Sequence, residues 1–84
     1  MTYEIRFTKQ AAKDVKRLTP KLQQKLKAIL RNRVAVDPYG GKPLVGELEG
    51  YYSVRLSYKD RVVYAIHDGE LVVIIIRART HYGE

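Results

Sequence analysis

Tyr3, Ile5 and Phe7 alternate with Glu4 and Arg6, the two-residue period of a half-buried strand. The period then changes. Thr8 is placed to cap a helix, and Ala11, Ala12, Val15 and Leu18 follow at helical spacing. Thr19-Pro20 opens a second helix: threonine caps well, and proline at the first helical position loses no hydrogen bond. Leu22, Leu26, Ile29, Leu30 and Val34 form its apolar stripe, and Asp37-Pro38-Tyr39-Gly40-Gly41 stops it. Two helices joined this tightly fold back as a hairpin. Residues 42–50 read as a loop with a short extended piece at Leu44–Leu48. Alternation resumes at Tyr52, Val54, Leu56 and Tyr58, and Tyr58-Lys59-Asp60 makes a turn. Arg61 to His67 is the next strand, and Asp68-Gly69 signals a tight hairpin. The last strand runs from Leu71 to about Arg79, and its first six residues are all apolar, as in a strand buried on both faces. The predicted order is β-α-α-β-β-β: a single α+β domain over residues 1–84, with an antiparallel sheet covered on one face by the N-terminal helical hairpin.

Side chains of a strand point alternately to its two faces. Val54, Leu56, Val62, Tyr64 and Ile66 are expected against the helices, joined by Val72, Ile74, Ile76 and Ala78. Val73, Ile75, Arg77, Arg79 and His81 then share the open face with Arg55, Arg61 and His67. A single arginine on an open strand face is usually plain surface. Four that converge, beside a histidine and a tyrosine, are a different matter, because forked guanidinium donors match phosphate oxygens two at a time. Arg77 has Glu70 and Asp68 as alternative partners. His67, beside Asp68-Gly69, reads as a turn-proximal surface residue, and Tyr51, Tyr52, Tyr58 and Tyr64 as packing residues.

Charge adds a second feature. The 84 residues carry a net +7, unevenly spread. Residues 1–36 hold ten Lys/Arg against Glu4 and Asp14, whereas residues 37–84 hold six against seven acids. The helices therefore carry the positive field, with Lys21, Lys25 and Arg31 on the second. Such a field suits a polyanion, nucleic acid first. No cysteine is present, which removes disulfides, thiol nucleophiles and cysteine metal sites. Two histidines fourteen residues apart give no metal spacing, and Gly40-Gly41-Lys42 lacks the full phosphate-loop pattern. No cofactor is implied. MTYEIRFTK has no apolar signal core, and no apolar run approaches a membrane span, so a cytoplasmic, membrane-free protein is expected.

Histidine, tyrosine and several arginines, with neither thiol nor metal, suit cleavage of RNA through its own 2′-hydroxyl. The protein must take that proton, stabilise a charged phosphorane and protonate the leaving 5′-oxygen. Arginines supply the electrostatic part, and a histidine titrating near neutrality moves protons.

Four segments carry a family likeness: Pro43-Leu44, Gly50-Tyr51-Tyr52-Ser53-x-Arg55-Leu56, Asp60-Arg61-Val62-Val63-Tyr64 and the terminal Arg79-x-His81-Tyr82. With the element order and the basic helices, they resemble the RelE/ParE toxin superfamily of type II toxin–antitoxin systems over essentially the whole chain. The likeness is strongest to its YoeB-like and RelE-like mRNA interferases. It implies a toxin that enters the A site of the 70S ribosome and cuts mRNA there without a metal, and is neutralised by a co-encoded antitoxin. Promoter DNA would be met only through that antitoxin. By the same likeness Arg61 and Arg79 hold the scissile phosphate, and Arg55 contacts phosphate or handles a proton. His81 is the general acid and Tyr82 positions the nucleotide. Lys42 stands where YoeB-like toxins place a glutamate base. Either Glu47 or Glu49 substitutes, or Lys42 acts electrostatically, or His81 is itself the base. The basic second helix would grip ribosomal RNA. The alternatives are a ParE-like gyrase inhibitor that cleaves nothing and an inert antitoxin-binding module.

Overall fold

The computed structural model describes residues 2–78. Strand β1 (Glu4–Phe7) leads into α1 (Lys9–Arg17), then α2 (Pro20–Ile29), which ends in one π turn over Leu30–Val34. A two-residue strand β2 (Lys42–Pro43) precedes β3 (Tyr51–Arg55), β4 (Arg61–His67) and β5 (Val72–Arg77). Both helix starts form as their sequence dictates. The Thr8 side chain accepts from the Ala11 N–H at 3.1 Å, and that of Thr19 from the Leu22 N–H at 3.2 Å, each satisfying an otherwise orphaned backbone donor.

The two-helix α+β architecture stands, but the sheet is mixed. Its order is β1-β5-β4-β3-β2, with β1 parallel to β5 and the other pairs antiparallel. Alternation records which face a side chain takes and is blind to strand direction, so the parallel edge was not readable. The expected extended piece at Leu44–Leu48 is also displaced. The strand is Lys42–Pro43, and Gly46–Leu48 is a 3₁₀ turn. Gly50, at φ +100°, sits between that turn and β3 in a conformation L side chains rarely adopt.

The faces of β5 differ from expectation. Asp68–Glu70 forms a 3₁₀ turn that Leu71 closes in the left-handed region at φ 55°, in place of a two-residue hairpin. His67 therefore pairs with Val72, which sets Ile66 opposite Val73. Directly opposed residues in an antiparallel pair share a face, so Val73 and Ile75 pack with Tyr64 against the helices, where Val72 and Ile74 had been expected. The pairing then slips between Val63 and Tyr64, setting Arg77 opposite Val63. The shift returns Ala78 to the core and Arg77 to the open-face row.

The core combines Leu26, Ile29, Leu30 and Val34 of the helical layer with Val54, Val62, Tyr64, Val73 and Ile75 of the sheet. Ile75 is fully buried, and burial of such a side chain contributes about 2–3 kcal/mol. Tyr64 is the largest fully buried side chain. It stacks on Tyr52 at 6.1 Å between ring centroids and donates its hydroxyl to the Pro38 carbonyl at 2.8 Å.

Candidate functional site

Across the sheet, register brings distant residues into line. Lys42 pairs with Ser53, Ser53 with Val63, and Val63 with Arg77, one row across four strands. In the neighbouring row Arg55 is directly opposite Arg61. Close packing builds the near end. A Cβ on Gly41 would lie 2.1 Å from the Tyr64 hydroxyl oxygen and 3.0 Å from the Ser53 carbonyl oxygen, so only glycine lets this segment lie against β3 and set Lys42 beside Ser53.

These elements enclose a hollow of about 320 Å³ lined by Lys42, Pro43, Leu44, Val45, Leu48, Ser53 and Arg61. Its electrostatics are unfavourable for the free chain. Like charges facing one another across neighbouring strands destabilise a sheet. The carboxylate ion pairs among the described residues are Arg6–Glu4, His67–Glu70 and Arg77–Asp14, and none involves Arg55 or Arg61. Beside them Ser53, 1% exposed, has a buried hydroxyl with no hydrogen-bond partner among the described residues. A buried unsatisfied hydroxyl costs about 1–3 kcal/mol. The unsatisfied hydroxyl and Arg61 both line the hollow, and an oxyanion there would accept from the one and neutralise the other.

Arg77 is engaged differently. β1 ends at Phe7 opposite Ile75, so the end of β5 meets the start of α1. There Thr8 donates its N–H to the Ile75 carbonyl and its hydroxyl to that of Ile76, each at 3.1 Å. Asp14, 3% exposed, accepts from Arg77 Nε at 2.7 Å, Arg77 Nη2 at 3.3 Å and the Ala78 N–H at 3.2 Å. Burial pushes the Asp14 carboxyl up, but these bonds, one from Gln10 and the Arg77 charge outweigh it and hold the carboxyl below the usual carboxylate range. The expected partners Glu70 and Asp68 are taken by other groups: Glu70 lies 3.8 Å from His67, and Asp68 accepts from the Tyr3 hydroxyl.

The sequence candidates thus divide. Lys42, Arg55 and Arg61 come together on the open face. Of the three described candidates for a base, Lys42 lines the hollow, whereas Glu47 and Glu49 are exposed beside it and do not. Lys21, Lys25 and Arg31 are exposed on the helical layer, with the sheet between them and the hollow. His67 sits at the far end of β4 from Arg61, roughly 20 Å away at strand rise, in agreement with a turn-proximal role. Arg79, His81 and Tyr82 lie outside the described residues. Ser53 was missed. In the sequence it is a small polar residue between Tyr52 and Val54, and only cross-strand register reveals its neighbours.

Two helices on a five-stranded mixed sheet form a fold that solved toxin–antitoxin structures share. The toxin–antitoxin complex RelBE2 from Mycobacterium tuberculosis contains a chain with the same fold: TM-score 0.86 at 30% identity, over 96% of this chain and 100% of that one. The YoeB-YefM complex from Staphylococcus aureus contains another, at TM-score 0.69 and 30% identity over 98% and 100%. The family model for the YoeB-like toxin of bacterial type II toxin–antitoxin systems matches residues 6–82, and the chain belongs to that family. Among individual relatives, toxin YoeB of Synechocystis is 38% identical over 71 residues, 80% of this chain and 74% of that protein. Toxin YoeB of Streptomyces coelicolor is 43% identical over 53 residues, 58% of this chain. This match spans 61% of the Streptomyces protein, and that to toxin YoeB of Mycobacterium bovis 56%, so the chain spans rather less than two thirds of these relatives.

Proposed function

We propose that the chain is a metal-independent endoribonuclease that cuts mRNA in the ribosomal A site and so arrests translation. One observation carries the reading: Arg55 and Arg61 oppose each other, without a carboxylate partner among the described residues, at a hollow lined by Lys42 and Ser53. Such a surface favours a phosphate over any neutral ligand. In the proposed reaction the ribose 2′-hydroxyl attacks the adjacent phosphorus. Its proton leaves to a base, the P–O5′ bond breaks, and a 2′,3′-cyclic phosphate and a free 5′-hydroxyl result. Arg61, with Arg79 from the chain terminus, stabilises the charge that grows on the phosphorane. Arg55 holds a flanking phosphate. His81 gives the proton to the 5′-oxygen, and Tyr82 positions the nucleotide. Lys42 acts by charge, and the base is His81 or one of the loop carboxylates Glu47 and Glu49.

The exposed cations Lys21 and Lys25 on the other layer would hold ribosomal RNA by phosphate contacts. An antitoxin would occupy a third surface. A groove of about 670 Å³ lies between β1 and α2, lined by Ile5, Phe7, Val15, Leu26 and Leu30 and flanked by Lys27 and Arg31. It runs along the sheet edge and fits an apolar segment with acidic flanks. The toxin–antitoxin complexes named above support an antitoxin partner. Promoter DNA would be reached through this partner.

Primer extension on a defined mRNA, with and without ribosomes, tests the reading. Wild-type protein should yield cuts that require ribosomes, and His81→Ala should abolish them. Absence of cuts under both conditions, with inhibition of gyrase supercoiling instead, would replace the nuclease with the ParE-like alternative.

A further inference from the structure

The orphaned hydroxyl of Ser53 calls for a ligand of its own. It is nine-tenths and more buried, has no partner among the described residues, and lines the hollow with Lys42 and Arg61. Its register neighbours are settled: Lys42 on one side, Val63 on the other, with the Arg55–Arg61 pair one row away. Val63 is fully buried and Ser53 nearly so; an apolar residue at position 53 would remove an unsatisfied polar atom at no loss of bonding. The hydroxyl is therefore unfavourable for the free chain, as is the opposition of Arg55 and Arg61. One species answers both. A phosphodiester oxygen takes a hydrogen bond from a hydroxyl and neutralises two cations, whereas a neutral hydroxyl or base edge would leave the cations opposed.

We propose that Ser53 is a substrate-contacting residue that donates its hydroxyl to a non-bridging oxygen of an RNA phosphate seated between Lys42 and Arg61. Because the hydroxyl is covered in the free chain, the bond forms when the Lys42 and Arg61 side chains shift to admit the anion and then close on it. It deepens the nuclease reading and rests on it for the identity of the substrate. The bond strengthens as charge accumulates on the phosphoryl oxygens, so its loss should appear in kcat more than in KM.

Ser53→Ala provides the test. Its thermal midpoint should equal or exceed that of wild type, because an unsatisfied buried hydroxyl is removed. On programmed ribosomes its kcat for mRNA cleavage should fall about 10²- to 10³-fold, the range for loss of one oxyanion donor, with KM for the ribosome unchanged. A second readout needs no ribosome. Inorganic phosphate at constant ionic strength should raise the thermal midpoint of wild type, and raise that of Ser53→Ala less. An alanine variant that cleaves like wild type, or that melts lower and loses activity with its fold, overturns the proposal. So does equal protection of the two proteins by phosphate, or protection of neither. If wild type itself fails to cleave on ribosomes, the nuclease reading falls, and the phosphate comparison still decides whether Ser53 serves an anion seat.

Discussion

Asp14 joins two ends of the fold, and its removal should be among the costliest single changes in the chain. Its buried carboxylate accepts two bonds from Arg77 and one from the Ala78 N–H. Asp14→Ala leaves the Ala78 donor unsatisfied, at about 1–3 kcal/mol. It also strands the Arg77 charge. Loss of one partner of a fully buried ion pair costs about 3–5 kcal/mol. The Arg77 side chain is 37% exposed and regains water, so this part is discounted to about 1–2 kcal/mol. The sum is about 3 kcal/mol, against a total of roughly 4–13 kcal/mol for a chain of this length. At about 4–8 °C per kcal/mol the thermal midpoint should fall by about 12–24 °C. Asp14→Asn, which keeps one carbonyl acceptor, should lose about half as much. The sign of the pH dependence follows from the lowered folded pKa. The stabilisation is present above the ordinary aspartate value, near 4, and is lost as pH falls below it through the folded value. The gap between wild type and Asp14→Asn, followed by circular dichroism melts, should therefore be full at pH 7 and shrink below about pH 4. A variant melting within roughly 3 °C of wild type at pH 7 would refute the reasoning.

Gly41→Ala should lower stability by about 1–3 kcal/mol in urea melts, because the added methyl meets the Tyr64 hydroxyl at 2.1 Å; an unchanged midpoint would mean that Tyr64 does not pack there. Tyr64→Phe removes the bond to the Pro38 carbonyl and should cost about 1–2 kcal/mol by the same assay. Burial raises the Tyr64 phenol to about 12, and the hydrogen bond to Asp68 raises that of Tyr3 to about 12. Both raised values mean stability that is complete below pH 10 and lost as pH rises through 12, so absorbance titration should find Tyr3 and Tyr64 ionising late and melts should weaken over that interval. Glu47→Gln and Glu49→Gln separate the carboxylate bases: the variant that removes the base limb of the pH–rate profile for cleavage identifies it, and neither changing would leave His81.

Local signals were the legible ones. Thr8 and Thr19 cap their helices because capping is decided within three residues, and the apolar stripe of α2 needed no knowledge of the sheet. Arg55 and Arg61 could be placed on one face because the turn between them is short and fixes their register. What escaped depended on long-range geometry. A left-handed Leu71 reversed the first part of β5 and a pairing shift between Val63 and Tyr64 ended the reversal, and neither leaves a compositional mark. Nothing in the sequence marks Asp14, since its partner lies 63 residues away. Ser53 gained meaning only when Lys42 and Arg61 were found beside it. The expected roles of Arg79, His81 and Tyr82 rest on the family likeness.

The open face around Arg61 is the proposed seat of RNA cleavage. Single-turnover cleavage of a defined mRNA on programmed ribosomes, wild type against Arg61→Ala at equal thermal stability, tests it most directly. The variant's rate should be lower by about 10²–10³-fold, as for removal of a donor to a developing oxyanion, with cut positions unchanged. An Arg61→Ala protein that cuts at the wild-type rate would contradict it.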